Sequence, residues 1–166
     1  MPWSSVVCRA VAGAAEAELH HRIRHEVFVV EQGVFTGSDL DSRDAAPDTI
    51  KVLGWADGVA AGAVRLYPLR DGVWQGDRLA VLPAYRAHAL GRPLVRFAVT
   101  SAARLGGREM LAHVQLANVR FFERLGWACR GDTETYVGLP HQLMAIDLSG
   151  VNLLTSPAAS PSPARR

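Results

Sequence analysis

The segment "YRAHALGRPLVRFAVTSAARLGG", Tyr85 to Gly107, sets a run of small residues directly before an apolar helical pattern. A helix N-terminus exposes unpaired N–H groups and a partial positive charge. A tight loop entering it aims further N–H groups at the same point, and small residues let that backbone approach an anion closely. Arg86 and Arg92 flank the turn with side-chain charge, and Pro93 is tolerated because the first helical turn needs no internal donor. Such a segment can hold a phosphate or pyrophosphate. An ordinary strand-to-helix connection without a ligand fits the same residues equally.

The elements that must position this loop are read from hydrophobic period and turn chemistry. "SSVVCRAV", residues 4–11, reads as a strand that Gly13 ends. Residues 14–33 place Leu19, Ile23, Val27 and Val30 at helical spacing, with Gly33 as the stop. Residues 34–48 carry Asp39, Asp41, Asp44 and Asp48 and read as a loop. Asp57-Gly58 between two strand-like runs signals a hairpin, and "VWQGDRLAVLP" adds a strand that stops at Pro83. Leu90, Leu94, Phe97, Ala98, Ser101 and Leu105 form the stripe of the next helix, closed by Gly106-Gly107. "EMLAHVQ" is a strand, "NVRFFERLGW" a short helix stopped by Gly126, and two strands follow, the last in "HQLMAIDL". The order β-α-β-β-β-α-β-α-β-β predicts an α/β (α+β) protein with a mixed sheet. One domain is expected over residues 1–148. The Ser-, Pro- and Ala-rich residues 149–166 are expected to be a disordered tail.

Composition narrows the function. The chain of 166 residues is 49% hydrophobic and 20% charged, which suits one globular domain. No run reaches the roughly 18 apolar residues of a membrane helix, and no basic-then-apolar leader opens the chain. A cytoplasmic protein without membrane partners is the expectation. Of 18 basic residues only Lys51 is a lysine, and the arginines are dispersed without aromatic interleaving. That pattern argues against a nucleic-acid surface. CxxC and HExxH are absent, so no metal is expected. Cys8 and Cys129 read as buried free thiols.

"LAVLPAYRAHALG", Leu79 to Gly91, resembles the strand-loop-helix motif of the GNAT N-acetyltransferase family, whose loop pattern R/Q-x-x-G-x-G/A falls on Arg86, Ala87, His88, Ala89, Leu90 and Gly91. Ala89 stands where the family usually has glycine. "VQLANVRFFERLGW" is similar to the family's second helix motif. "RHEVFVVEQGVF", "DLDSRD" and "GLPHQLM" resemble the ElaA-like branch, and the first two are also similar to acyl-homoserine lactone synthases.

The resemblance implies a GNAT fold whose fourth and fifth strands splay, with acetyl-CoA as co-substrate and acetyl transfer by direct attack of a small-molecule amine. Backbone groups of Leu79, Ala80 and Val81 would bind the pantetheine. Residues 86–92 would cradle the pyrophosphate, with Arg92 at their end. Asn118 would bind the pantetheine or cap its own helix. Phe122 takes the place of the tyrosine that usually protonates the leaving thiolate, so Tyr136, Cys129 or His141 would have to substitute, unless the thiolate leaves unassisted. Glu31 is the first expectation for the general base, with His113, His141 or a water behind it. The Asp-rich loop either attracts a cationic acceptor or is solvated. Trp55 and Trp74 either line the acceptor pocket or pack the sheet. A homodimer fits the family. Two other functions stay open: a degenerate module that binds coenzyme A without turnover, and an acyl-homoserine lactone synthase-like enzyme.

Overall fold

The computed structural model describes residues 5–151. Its elements are β1 (Val6–Ala10), α1 (Gly13–Arg24), β2 (Ile50–Ala56), β3 (Val59–Arg70), β4 (Val73–Val81), α2 (Gly91–Arg104), β5 (Glu109–Gln115), α3 (Val119–Arg124), β6 (Ala128–Tyr136) and β7 (Leu139–Asp147). This is the order the sequence pattern predicts. Ser4 and residues 152–166 of the expected tail lie outside the described residues. One seven-stranded sheet runs β1-β2-β3-β4-β5-β7-β6. Every neighbouring pair is antiparallel except β4 and β5, which run parallel. The β2–β3 turn has φ of 49° at Asp57 and 81° at Gly58, the two positive values that an Asp-Gly turn of the primed type needs.

Helices cover both faces. On one, Leu94 of α2 and Leu90 just before it join Val52, Leu66 and Met110 in one core cluster. Gly62 allows that approach, since a Cβ there would lie 2.8 Å from a Leu94 methyl. On the other face, Ile23, Val27 and Phe28 pack against Leu53, Ala63 and Ala80.

Two stripe residues fall elsewhere than expected. After Arg24 the first helix widens into a π-helical turn, His25–Glu31, in which the Gln32 N–H reaches the Val27 carbonyl at 3.0 Å. The wider turn shifts the helical phase. Phe28 enters the core, and Val30 is 63% exposed. Leu105 is also exposed, because α2 ends at Arg104 and buries Val95, Val99 and Ala102 instead.

The Asp-rich loop corrects both expectations for it. Its aspartates Asp39, Asp41 and Asp44 are bound to arginines rather than left to solvent or to an incoming cation. Buried Arg24 bonds Asp39 at 2.7 Å and Asp44 at 2.6 Å. Arg65, also buried, forks between Asp41 and Asp77, each at 2.7 Å, and Arg78 adds contacts to Asp39 and Asp41. Burial opposes the charge of Asp44, yet the Arg24 hydrogen bonds hold its carboxyl well below the usual range. Asp41 and Asp48 keep exposed side chains, at 41% and 53%. The tryptophans pack: Trp74 is in the core, and Trp55 lies 4.8 Å below the Arg9 guanidinium. Both cysteines are free. Cys8 is half-buried, and burial pushes its thiol up to about 11. Cys129 is exposed, against expectation, because β6 is a sheet edge whose residues face solvent.

Candidate active site

The site begins where two strands part. β4 and β5 pair only at Val73–Glu109, Trp74–Met110 and Gln75–Leu111, although β4 continues to Val81 and β5 to Gln115. Arg78 has φ of 54°, and the β3–β4 register slips between Ala63 and Arg65. That is a bulge, which bends a strand away from its neighbour. The parted strands leave a slot through the sheet of about 110 Å³.

The bulge decides which backbone groups face the slot. Leu82 donates to the Ala61 carbonyl at 2.8 Å, and bonded positions alternate in an antiparallel ladder. Ala80, opposite Ala63, therefore spends its groups on β3. Leu79 turns its groups away from β3 and lines the slot; of the three residues expected to offer backbone there, neither Ala80 nor Val81 is among the lining residues.

Beside the parted strands stands α2, which brings Val95 and Ala98 to the slot. A 3₁₀ turn, Pro83–His88, leads into Ala89, which is left-handed at φ 54°, ψ 39°. Leu90 precedes the helix and is fully buried. No side chain caps the first N–H groups. Gly91 has a packing reason: a Cβ would come within 3.3 Å of the Phe121 ring, so glycine lets α2 close on α3. Ala87 and Arg92 are exposed, and His88 sits 3.8 Å from Asp57 on the hairpin turn.

Arg86 is held in the turn before α2 by Glu31. Its guanidinium bonds both carboxylate oxygens, one at 2.8 Å. These hydrogen bonds lower the Glu31 pKa from its ordinary value. A general base needs the opposite tuning, and Glu31 is not among the slot-lining residues. The geometry thus sets Glu31 apart from the base role expected for it. The next residue, Gln32, accepts a 3.0 Å bond from Gln115 at the end of β5.

On the α1 face, three aromatic rings meet. His113 stacks on Tyr136 at 4.9 Å, and Tyr136 meets the edge of His141 at 5.3 Å. All three line the slot. They come from β5, β6 and β7; Tyr136 and His141 flank the β6–β7 turn, and His113 lies far from both in sequence. His141 Nδ1 lies 2.9 Å from the Leu139 carbonyl. A carbonyl only accepts, so Nδ1 carries the proton of the neutral ring and Nε2 carries the lone pair. Asn118 lines the slot and makes no cap bond to α3, which removes the capping alternative. Phe122 lines the slot too, wedged edge-on against Phe121 and Trp127. Cys129 is elsewhere, in a separate groove beside Arg108 and Arg130.

Sequence reasoning missed Arg78 and Phe35, which meet at 4.4 Å on the slot wall. Nothing in "DRLAV" marks Arg78 as the bulge, because the left-handed residue is not glycine. Phe28 was hidden by the assumption of a regular helix.

Comparisons with known proteins agree with this geometry. Residues 18–127 match the Acetyltransferase (GNAT) family. The N-acetyltransferase YjcF of Bacillus subtilis (strain 168) is 28% identical over 126 residues, covering 75% of this chain and 88% of that protein. The crystal structure of Escherichia coli ElaA shares the fold, with TM-score 0.76 and 20% identity over 86% of this chain and 99% of that one. The acyl-homoserine lactone synthase BjaI, solved with SAM and isopentyl-CoA, shares it at TM-score 0.71 and 19% identity, over 88% of this chain and 85% of that one. The family match spans well over half of the chain and includes both walls of the slot: this protein belongs to the GNAT acetyltransferase family.

Proposed function

We propose that the protein transfers an acetyl group from acetyl-CoA to the amine of a small molecule. The observation that carries this reading is the parting of β4 and β5, which opens a slot lined by Val95 and Ala98 of α2, a helix whose N-terminus no side chain caps, and by the His113–Tyr136–His141 cluster. Acetyl-CoA would supply a thioester carbonyl open to attack. The α2 N-terminus, with Arg86 and Arg92, would hold its pyrophosphate. Leu79 would hydrogen-bond the pantetheine, with Asn118 beside it and Phe122 packed against it.

The acceptor amine enters from the α1 face. His141 suits removal of its proton, since Leu139 fixes the lone pair at Nε2. Tyr136 supplies a hydroxyl among the slot-lining side chains and suits protonation of the thiolate, in place of the hydroxyl that Phe122 lacks. The β4 and β5 walls keep bulk water from the thioester.

Release of thiol from acetyl-CoA, with and without a panel of amino acids and small amines, tests the reading. Amine-dependent release is expected. His141→Gln should lower turnover at least tenfold, the lower end of general-base contributions being about 100-fold, while coenzyme A binding stays. A second reading, a module that binds coenzyme A without turnover, is favoured by Phe122 and by strained Ala89. It predicts binding with no release for any amine.

A further inference from the structure

The β4 bulge sends two successive side chains to one side of the sheet. Gly76 faces Met110 of the α2-side core, and Leu79 and Val81 pack against that core as well. Ala80 packs with the α1-side residues. Asp77 shares Arg65 with Asp41 of the loop after α1, and Arg78 bonds Asp39 of the same loop, so both stand on the α1 side. Arg78 is the one arginine or lysine among the described residues that line the slot. Its side chain is only 6% exposed. Resting on the acetyltransferase reading above, we propose that Arg78 holds a carboxylate of the acceptor, and that the acceptor is an amino acid, an amine that carries its own carboxylate.

Three observations carry it. The first is unspent hydrogen-bonding capacity. Arg24 and Arg65 each donate from all three guanidinium nitrogens to carboxylate or carbonyl oxygens. Arg78 donates from Nη2 alone, to the Asp39 carbonyl at 3.1 Å and to Asp41 at 3.3 Å. Its Nε lies 3.2 Å from Asp39 Oδ2 but is not aligned to bond it. Its Nη1 bonds nothing among the described residues and keeps accessible surface. A guanidinium taken this far from water with donors unmade is costly, and a carboxylate oxygen makes the short, charge-assisted bond that suits it. The second is that the group is held still. Phe35 lies 4.4 Å across one face of the guanidinium, and the bonds to Asp39 and Asp41 fix its edge, so a ligand meets a donor already in place. The third is that the acid beside it is taken. Asp77 is the one aspartate or glutamate among the described lining residues. It gives its oxygens to Arg65 at 2.8 and 2.7 Å, and one of them also accepts from the Tyr67 hydroxyl. An acceptor with positive charge alone would meet Arg78 and find no free carboxylate. An amino acid brings the missing anion to Arg78, and its ammonium is left for His141 on the same slot.

The test is thiol release from acetyl-CoA by the full chain with the common amino acids, with spermidine and with simple alkylamines. The best amino acid is then compared with its carboxamide and with the amine that lacks only the carboxyl group. The carboxamide is a weaker base than the amino acid and the plain amine a stronger one, so a preference over both reads the carboxylate and not the basicity. The amino acid should exceed both in kcat/KM by about tenfold or more, the scale of a hydrogen bond between charged groups. Arg78→Gln should reduce that preference to about twofold or less through a raised KM for the amino acid, with calorimetric coenzyme A binding unchanged and the fold checked by circular dichroism. Arg78→Lys, whose ammonium can still pair with Asp39 and Asp41 but has no second arm for the slot, should do likewise and serves if the glutamine variant is unstable. Equal kcat/KM on the three compounds, or release with spermidine or alkylamines alone, overturns the carboxylate site and leaves the acetyltransferase reading intact. A folded Arg78→Gln that keeps the tenfold preference overturns the assignment to Arg78. Release with no amine at all would instead remove the reading on which the inference rests.

Discussion

Ala89 is the residue at which sequence and conformation disagree most openly. It sits at φ 54°, ψ 39°, where an L side chain costs about 1–2 kcal/mol. Glycine would remove that strain but lose about 0.5–1 kcal/mol to the freedom of the unfolded chain. Ala89→Gly should therefore stabilise by about 0.5–1 kcal/mol, read as a higher urea midpoint at unchanged slope. A lower midpoint would mean that the turn is not left-handed in solution. The departure from the family's glycine was legible in the sequence, and so was the fact that it mattered only if φ were positive. His20 makes a second case. It is fully buried, and its Nε2 lies 3.0 Å from the Val64 carbonyl, opposite the bulge. Burial, the largest influence, lowers its pKa from 6.5 to about 4. The unfolded state then binds more protons between those values. The neutral ring's contribution is complete above pH 6.5 and is lost as pH falls toward 4, a loss of about 2–3 kcal/mol. Urea titrations from pH 7 to 4 should show a shallower decline in His20→Gln, which keeps a donor but cannot charge. Equal slopes would sink this assignment.

Among the elements, punctuated ones were legible and tertiary ones were not. Asp57-Gly58, Gly106-Gly107 and Gly126 marked their boundaries because each turn chemistry is local. The π-helical turn carries no such mark. A stripe read at the regular period puts Val30 inside and Phe28 outside, and a single wide turn reverses both. The acidic loop was misjudged for a related reason. Its partners Arg24, Arg65 and Arg78 come from a helix and two strands, and no spacing rule brings them together. This cluster fixes the loop against β3 and β4, beside the slot wall that Arg78 helps to build. Arg24 is its most buried cation, with Asp39 and Asp44 both on its guanidinium. Arg24→Ala would leave Asp39 to Arg78 and Asp44 to Arg65; breaking a buried pair typically costs about 3–5 kcal/mol, and with these partners kept a loss of about 2–4 kcal/mol is expected by denaturant unfolding. A loss below about 1 kcal/mol would show the cluster to be solvated after all.

At the scale of the whole molecule, the sheet is a partition with a slit in it. In the proposed reaction the donor mouth belongs to β4, α2 and α3, and the acceptor mouth to β5, β6, β7 and the loop after α1. The sequence named most of the donor mouth, because a loop and helix contiguous in the chain build it. It scattered the proposed acceptor mouth over His113 and the Tyr136–His141 pair; a local turn joins the pair, and only the sheet order brings His113 to it. The end of the π-helical turn ties the two sides. Glu31 holds Arg86 of the donor mouth, and Gln32 holds Gln115 of β5. This placement gives Glu31→Gln an outcome different from that of a lost base. In the free protein Arg86 already has an anion, so a pyrophosphate arriving at α2 competes with Glu31 for the same guanidinium. The pair is exposed, and exposed pairs are weak. Removing the charge should tighten coenzyme A binding by about two- to fivefold at low salt. The gain should fade as salt rises, since screening weakens the interaction of Arg86 with either partner. The pH profile of turnover should keep its shape. Calorimetry at two salt concentrations, together with the pH profile, decides between the roles. Weaker binding would mean that Glu31 positions Arg86 for the cofactor rather than competing with it. A collapse of turnover with a changed pH profile would return Glu31 to the role of base and displace His141.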